Sequence, residues 1–166
     1  MDINIYKKYP YMKQVKESII DSEDKRLIPY NLEYTNKKTG EKVIENFKTV
    51  GYGRRIYGKA KDIYTQEEID KFLEEDLAKA AEDAADLLDL SKVHPQAHGI
   101  VTQMVYQMGK KGVGDSKKGF VKTLKYINKG QYKEASKEML HSNWANQTPR
   151  PAIKLSKLMR QIGEDW

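Results

Sequence analysis

The chain contains no cysteine. That excludes a disulfide framework, a thiolate metal site and a cysteine nucleophile. Long apolar runs are also missing. None approaches the ~20 residues a membrane-spanning helix needs. The opening residues, Met1-Asp2-Ile3-Asn4-Ile5-Tyr6-Lys7-Lys8, lack the apolar core of a secretory signal. Synthesis without a signal of its own is therefore expected, and action outside the cytoplasm would need release by a separate factor. No serine sits in a nucleophile elbow. Gly51-Tyr52-Gly53 lacks the later glycine and the acidic residue of a dinucleotide fingerprint. There is no internal repeat and no low-complexity tract.

The 166 residues that remain to be explained suit one compact domain, or two small lobes sharing a helix. The net charge is +6, with Lys and Arg spread along the chain. Such a surface favours an anionic partner or serves solubility alone. The basic pairs Lys7-Lys8, Lys37-Lys38, Lys110-Lys111 and Lys117-Lys118 are scattered. They form no stripe interleaved with aromatics, so nucleic acid is not an expected partner. His94 and His98 are four apart and would share a helix face, but Pro95 sits between them and no third ligand is evident. No metal site and no cofactor are expected.

Periodicity divides the chain. Residues 1–10 read as a lead-in. Met12, Val15 and Ile19 fall at helical spacing in a helix that fades near Ser22–Asp24. Pro29 biases Ile28 to extended geometry. Tyr30, Leu32 and Tyr34 then alternate with polar residues, as a strand does. Asn36 to Gly40 is turn chemistry, and Glu41 to Val50 is the returning strand. Gly51 and Gly53 allow a tight bend or close backbone approach. Residues 30–54 thus read as a twisted hairpin or three-stranded sheet.

Thr65-Gln66-Glu67-Glu68 is a capping box. The apolar face from Ile69 to Leu88 extends it into one helix of roughly 36 Å, at ~1.5 Å per residue. A helix that long suits a strut between lobes. Beyond Pro95, Ile100, Met104, Val105 and Met108 predict a buried helix ended by Gly109 and Gly112. Further helices are carried by Phe120, Leu124 and Ile127, by Tyr132, Ala135, Met139 and Leu140, and by Ile153 to Ile162 after Pro149 and Pro151. The organisation is a lead-in (1–10), an N-terminal lobe with a small sheet (11–64), a connecting helix (65–90) and an all-helical C-terminal lobe (91–166).

One acidic residue stands out. Glu23 lies where the first helical pattern stops and a small sheet begins. A carboxylic acid so placed is a candidate for protonating a leaving group, although most such residues are solvated charges.

Three blocks carry a family resemblance. The first is Glu23 with Arg26, Leu27 and Tyr30, followed by Thr49-Val50-Gly51-Tyr52-Gly53. The second is Thr65 to Ala80. The third and most specific is Met104-Val105-Tyr106-Gln107-Met108-Gly109, Gly112-Val113 and Trp144-Ala145-Asn146-Gln147-Thr148-Pro149. In order and spacing, residues 15–162 resemble the phage-type lysozymes. The resemblance implies an α+β fold of two lobes and hydrolysis of the β-1,4 bond between N-acetylmuramic acid and N-acetylglucosamine. It implies a monomer acting on bacterial peptidoglycan without a cofactor. Such an enzyme would be made in the host cytoplasm and act in the periplasm after release, or travel on a virion.

By the same resemblance Glu23 matches the general acid and Thr49 the threonine that positions the attacking water. Gln107, Trp144, Asn146 and Arg150 match substrate-binding positions, and inversion is implied. There are departures. The family's second carboxylate, an aspartate, counts to Leu32 from Tyr30 and to Val43 from Thr49; Glu33 is the first choice for it, Glu45 the second, and absence the third reading. Arg54 stands where a histidine is usual, giving an Arg54–Asp76 ion pair whose cation cannot titrate. Pro151 occupies the place of an arginine, with Arg150 beside it. The missing aspartate leaves a second class open: a catalytically inactive lysozyme fold that binds cell wall or serves a structural role in a virion.

Overall fold

The computed structural model describes residues 4–23, 25–36, 38–115 and 119–165, with Tyr34 described by its backbone alone. The elements follow in order as α1 (Ile5–Lys8), α2 (Met12–Ser22), β1 (Arg26–Thr35), β2 (Lys42–Gly51), β3 (Arg54–Ile56), α3 (Gln66–Leu87), α4 (Pro95–Gly114), α5 (Val121–Asn128), α6 (Tyr132–Leu140), α7 (Asn143–Gln147) and α8 (Pro149–Asp165). This is the expected α+β class. The chain divides into two compact units: Ile19–Asp76, and the residues up to Ser18 together with those from Leu77 onward. The divisions fall inside α2 and α3.

The first unit holds one antiparallel sheet in the order β1-β2-β3. β1 starts earlier than the alternation at Tyr30 suggests and runs through Pro29. That is tolerated because β1 is an edge strand and its register is irregular between Arg26 and Tyr30. β2 alternates between exposed and more buried residues, so Glu45, Phe47 and Thr49 share one face while Ile44, Asn46 and Lys48 share the other. A second irregularity separates the pairs Asn31–Lys48 and Glu33–Ile44. There β2 advances four residues against two of β1, a bulge. The Asn31 side-chain amide spans it, donating to the carbonyls of Glu45 (2.9 Å) and Phe47 (3.2 Å).

Val50, Tyr64 and Ile69 form the unit's buried core, with Leu27, Tyr52, Ile56 and Phe72 against them. The capping box closes as its spacing requires. The Glu68 N–H donates to Thr65 Oγ1 (3.1 Å) and the Thr65 N–H to Glu68 Oε1 (3.2 Å). Gly51 is held at φ +64°, and a Cβ there would come within 2.9 Å of Ile69 Cγ2. Gly51→Ala therefore combines left-handed strain with a clash in the core. A loss of about 1–3 kcal/mol is expected, readable as a lower midpoint in urea with an unchanged slope.

In the second unit, α4 is the central element, and every residue from Ala97 to Val105 is buried. Pro95 takes the first turn, where its missing N–H is harmless, and His94 Nδ1 accepts from the Gln96 N–H (3.1 Å). Gly99 lets α2 approach: a Cβ there would stand 3.0 Å from Val15 Cγ2. The helix breaks at Gly109, as expected, but Gly112 does not end it. Gly109 takes φ +79°, a non-helical break, yet the helix resumes and closes with the Asp115 N–H on Lys111 O (2.9 Å). α5, α6 and α8 complete the core through Ile127, Tyr132, Met139, Leu155 and Met159. The lead-in carries a four-residue helix, with Asn4 Oδ1 accepting from the Tyr6 N–H (3.0 Å).

His98, fully buried, has both ring nitrogens engaged. Nε2 lies 2.9 Å from the Ala81 carbonyl, which only accepts, so Nε2 carries the proton. Nδ1 then accepts from the Tyr11 hydroxyl, a group that burial pushes up to about 12 and keeps protonated. The Tyr9 ring stands edge-on at 4.6 Å. Burial holds the His98 pKa below its usual value. The sign follows directly: the folded state resists a proton that the unfolded state takes up near pH ~6.5. The stability is full above that pH and is lost as pH falls through it toward the depressed native value. The drop in thermal midpoint between pH 7 and pH 5 should be smaller in His98→Gln than in the native protein.

Candidate active site

Glu23 follows the last residue of α2. Its N–H still donates to Ile19 O (2.9 Å), and its side chain is half-buried. Met12, Val15 and Ile19 fix the helix that carries it, each 5 % exposed or less.

Thr49 lies in the central strand, directly opposite Tyr30 on β1 and Arg55 on β3. It is 2 % exposed, and Oγ1 has no hydrogen-bond partner among the described residues. Glu45, on the same strand face, is half-buried, and its Oε2 is likewise buried and unpaired. A buried polar group without a partner is uncommon, and a water or a ligand is one explanation for it.

Glu33 is placed otherwise. It is exposed and pairs with Ile44, on the face away from Thr49. By register Glu45, and not Glu33, shares a strand face with Thr49. The bulge at Glu45–Phe47 shifts the register, which counting along the chain could not reveal. Leu32, the place counted from Tyr30, is half-buried opposite that bulge.

Arg54 Nη1 lies 2.9 Å from Asp76 Oδ1 and 3.7 Å from Glu75 Oε2, with its guanidinium 4.6 Å from the Phe72 ring centre. Arg54 and Asp76 are each about one-third exposed, so the pair contributes ~1 kcal/mol or less to stability. It fixes the start of β3 against α3.

Of the remaining candidates, Gln107 and Trp144 meet. Trp144 Nε1–H donates to Gln107 Oε1 (2.8 Å), and the buried indole stands edge-on to Phe120 at 5.8 Å. Ser142 caps α7, accepting from the Ala145 N–H (3.2 Å), and Thr148 Oγ1 donates to Trp144 O (2.9 Å). Gln107 thus orients a structural tryptophan. Asn146 and Arg150 are exposed at α7 and the start of α8. His94 and His98 do not converge on a metal: one caps α4 and the other is buried against Tyr11. Among the described residues no group of three or more His, Asp or Glu could hold an ion.

Residues 32–161 match the family model described as phage lysozyme. The chain belongs to the phage lysozyme family. The match takes in Glu33, Glu45, Thr49, the Arg54–Asp76 pair and the Trp144 segment, while Glu23 precedes it. A curated relative, a probable T4-type lysozyme from Dictyostelium discoideum, is 31% identical over 104 residues, covering 60% of this chain. The aligned part spans 59% of that protein's length. The most specific motif, Trp144 to Pro149, follows the Ser142 cap and seats a buried indole. Two further residues share Thr49's strand face: Phe47 on β2 and Arg55 on β3. The alternation in β2 was the available signal.

Proposed function

We propose that this member of the phage lysozyme family is a muramidase, hydrolysing the β-1,4 bond between N-acetylmuramic acid and N-acetylglucosamine. Glu23 protonates the leaving oxygen. Thr49 offers its hydroxyl to the attacking water. Glu45 supplies the second carboxylate. The observation that carries the reading is the buried, unpaired hydroxyl of Thr49, on the same strand face as a buried carboxylate oxygen that is also unpaired.

Hydrolysis by water held on a threonine hydroxyl, with a carboxylate as general base, inverts the anomeric centre. The protein works as a monomer on peptidoglycan, in phage-mediated lysis or wall penetration. Among the described residues no helix is long and apolar enough to cross a membrane.

The test is digestion of purified peptidoglycan, with analysis of the new reducing ends. New N-acetylmuramic acid termini released in the α configuration support the reading. Release of N-acetylglucosamine termini, or wall binding without any new termini, overturns it. The second outcome would leave an inactive wall-binding module, the reading that Leu32 in the aspartate's counted place favours.

A further inference from the structure

The bulge in β2 leaves backbone carbonyls to be satisfied. Pairing runs Tyr30–Thr49 and Asn31–Lys48 on one side of it, and Glu33–Ile44, Tyr34–Val43 and Thr35–Lys42 on the other. Between them β1 contributes only Leu32, while β2 contributes Glu45, Asn46 and Phe47. Residues squeezed out of a ladder lose their regular partners, and carbonyls in a partly buried sheet need others. Asn31, itself half-buried, supplies them. Its side-chain nitrogen stands 2.9 Å from Glu45 O and 3.2 Å from Phe47 O. Both oxygens only accept, so the group facing them is the NH2, and each of its hydrogens has one target.

The far end of the hairpin is fixed separately. The Asn36 N–H donates to Glu41 O (2.8 Å), and the Gly40 N–H, at φ +72°, to Asn36 O (2.7 Å). Asn36 Oδ1 accepts from the Lys38 N–H (2.9 Å). The bulge is therefore held between a closed turn and the rungs beside Thr49.

Its effect falls on Glu45. Four residues of regular strand would set Glu45 roughly 13 Å from Thr49 along the sheet, at ~3.3 Å per residue. β1 covers the same stretch from Tyr30 to Leu32, roughly 7 Å. The bulge thus shortens the separation while both residues keep one face, the face of the two unpaired oxygens. A slip of one residue would instead turn Glu45 to the face of Ile44.

We propose that Asn31 is a positioning residue: by clamping the carbonyls of Glu45 and Phe47 it sets the bulge that carries the Glu45 carboxylate toward Thr49. The inference rests on the muramidase reading for what that carboxylate does. The residue type matters. Aspartate has the same shape but, ionised, no hydrogen to donate. Serine has one hydrogen for two carbonyls, and glutamine keeps the NH2 on a stem one methylene longer.

The test compares glycan cleavage by Asn31→Ala, by Glu45→Gln and by the double variant, and follows cross-strand nuclear Overhauser contacts in the labelled proteins. Asn31→Ala should lower kcat about 10–100-fold, the scale of a small misplacement. KM should change little, because the carboxylate acts in the transition state. In the Glu45→Gln background the same substitution should cost almost nothing more, since no carboxylate is left to position. The Glu33–Ile44 contacts should shift or vanish while those of Thr49 with Arg55 persist. Asn31→Gln should recover part of kcat. Full kcat in Asn31→Ala, an equal fall in both backgrounds, or an unmoved Glu33–Ile44 register would each overturn the inference. Should Asn31→Ala fail to fold, Asn31→Ser, with one donor kept, carries the same comparison. Cleavage that needs Glu45 but not Asn31 would remove only the positioning role. A native protein that cleaves nothing would remove the muramidase reading, and the register contacts would still judge the clamp.

Discussion

Glu23→Gln should reduce the clearing of permeabilised Gram-negative cells about 10²–10⁴-fold, the range spanned by loss of a positioned general acid. The substitution preserves shape and polarity and removes only the ability to give up a proton. Glu23 sits just beyond a helix whose hold on the fold comes from Met12, Val15 and Ile19. The loss should lie in turnover, with cooperative thermal unfolding retained. Retained clearing by Glu23→Gln would exclude the acid role. A large drop in midpoint accompanying the lost activity would mean that the side chain is structural. Glu23→Asp, which withdraws the carboxyl by one methylene, should recover part of the rate, because a proton donor must lie within hydrogen-bond reach of its acceptor.

Much of this was legible in the sequence for physical reasons. The capping box at Thr65–Glu68 announces the start of α3 because two orphan backbone donors need those side chains. The α4 residues from Ala97 to Val105 are all buried, and Ile100, Val101, Met104 and Val105 announce it, while His98, Thr102 and Gln103 are buried polar residues that the pattern does not. Thr49 was found by motif, but its burial and unpaired hydroxyl belong to the folded sheet. What stayed hidden depends on tertiary geometry. Gly109 breaks the helix at φ +79°, as a glycine stop should, but the further turn beyond it, where Val113 is buried, was not legible. The two histidines gave no metal site to expect, and that one caps α4 while the other is a buried partner of Tyr11 appears only in the fold.

The sharpest consequence of the register concerns the second carboxylate. Glu45→Gln should lower the rate of glycan cleavage by about 10², and Glu33→Gln should leave it unchanged. Counting from Tyr30 lands on Leu32, and counting back from Thr49 lands on Val43; neither is an acid. The bulge reconciles the two counts. Between the pairs Asn31–Lys48 and Glu33–Ile44, Leu32 alone faces Glu45, Asn46 and Phe47. Glu45 is thus drawn toward the level of Leu32, nearer to Thr49 than four residues of regular strand would leave it. Asn31 holds it there through the Glu45 carbonyl. An unpaired buried oxygen costs about 1–3 kcal/mol, so a side chain kept only for structure would be better replaced by an apolar one. Glu45→Leu separates the possibilities in a single protein: higher stability with lost cleavage marks a functional carboxylate, while higher stability with full cleavage marks an idle one. Loss of cleavage in Glu33→Gln with Glu45→Gln fully active would return the role to the opposite face of the sheet.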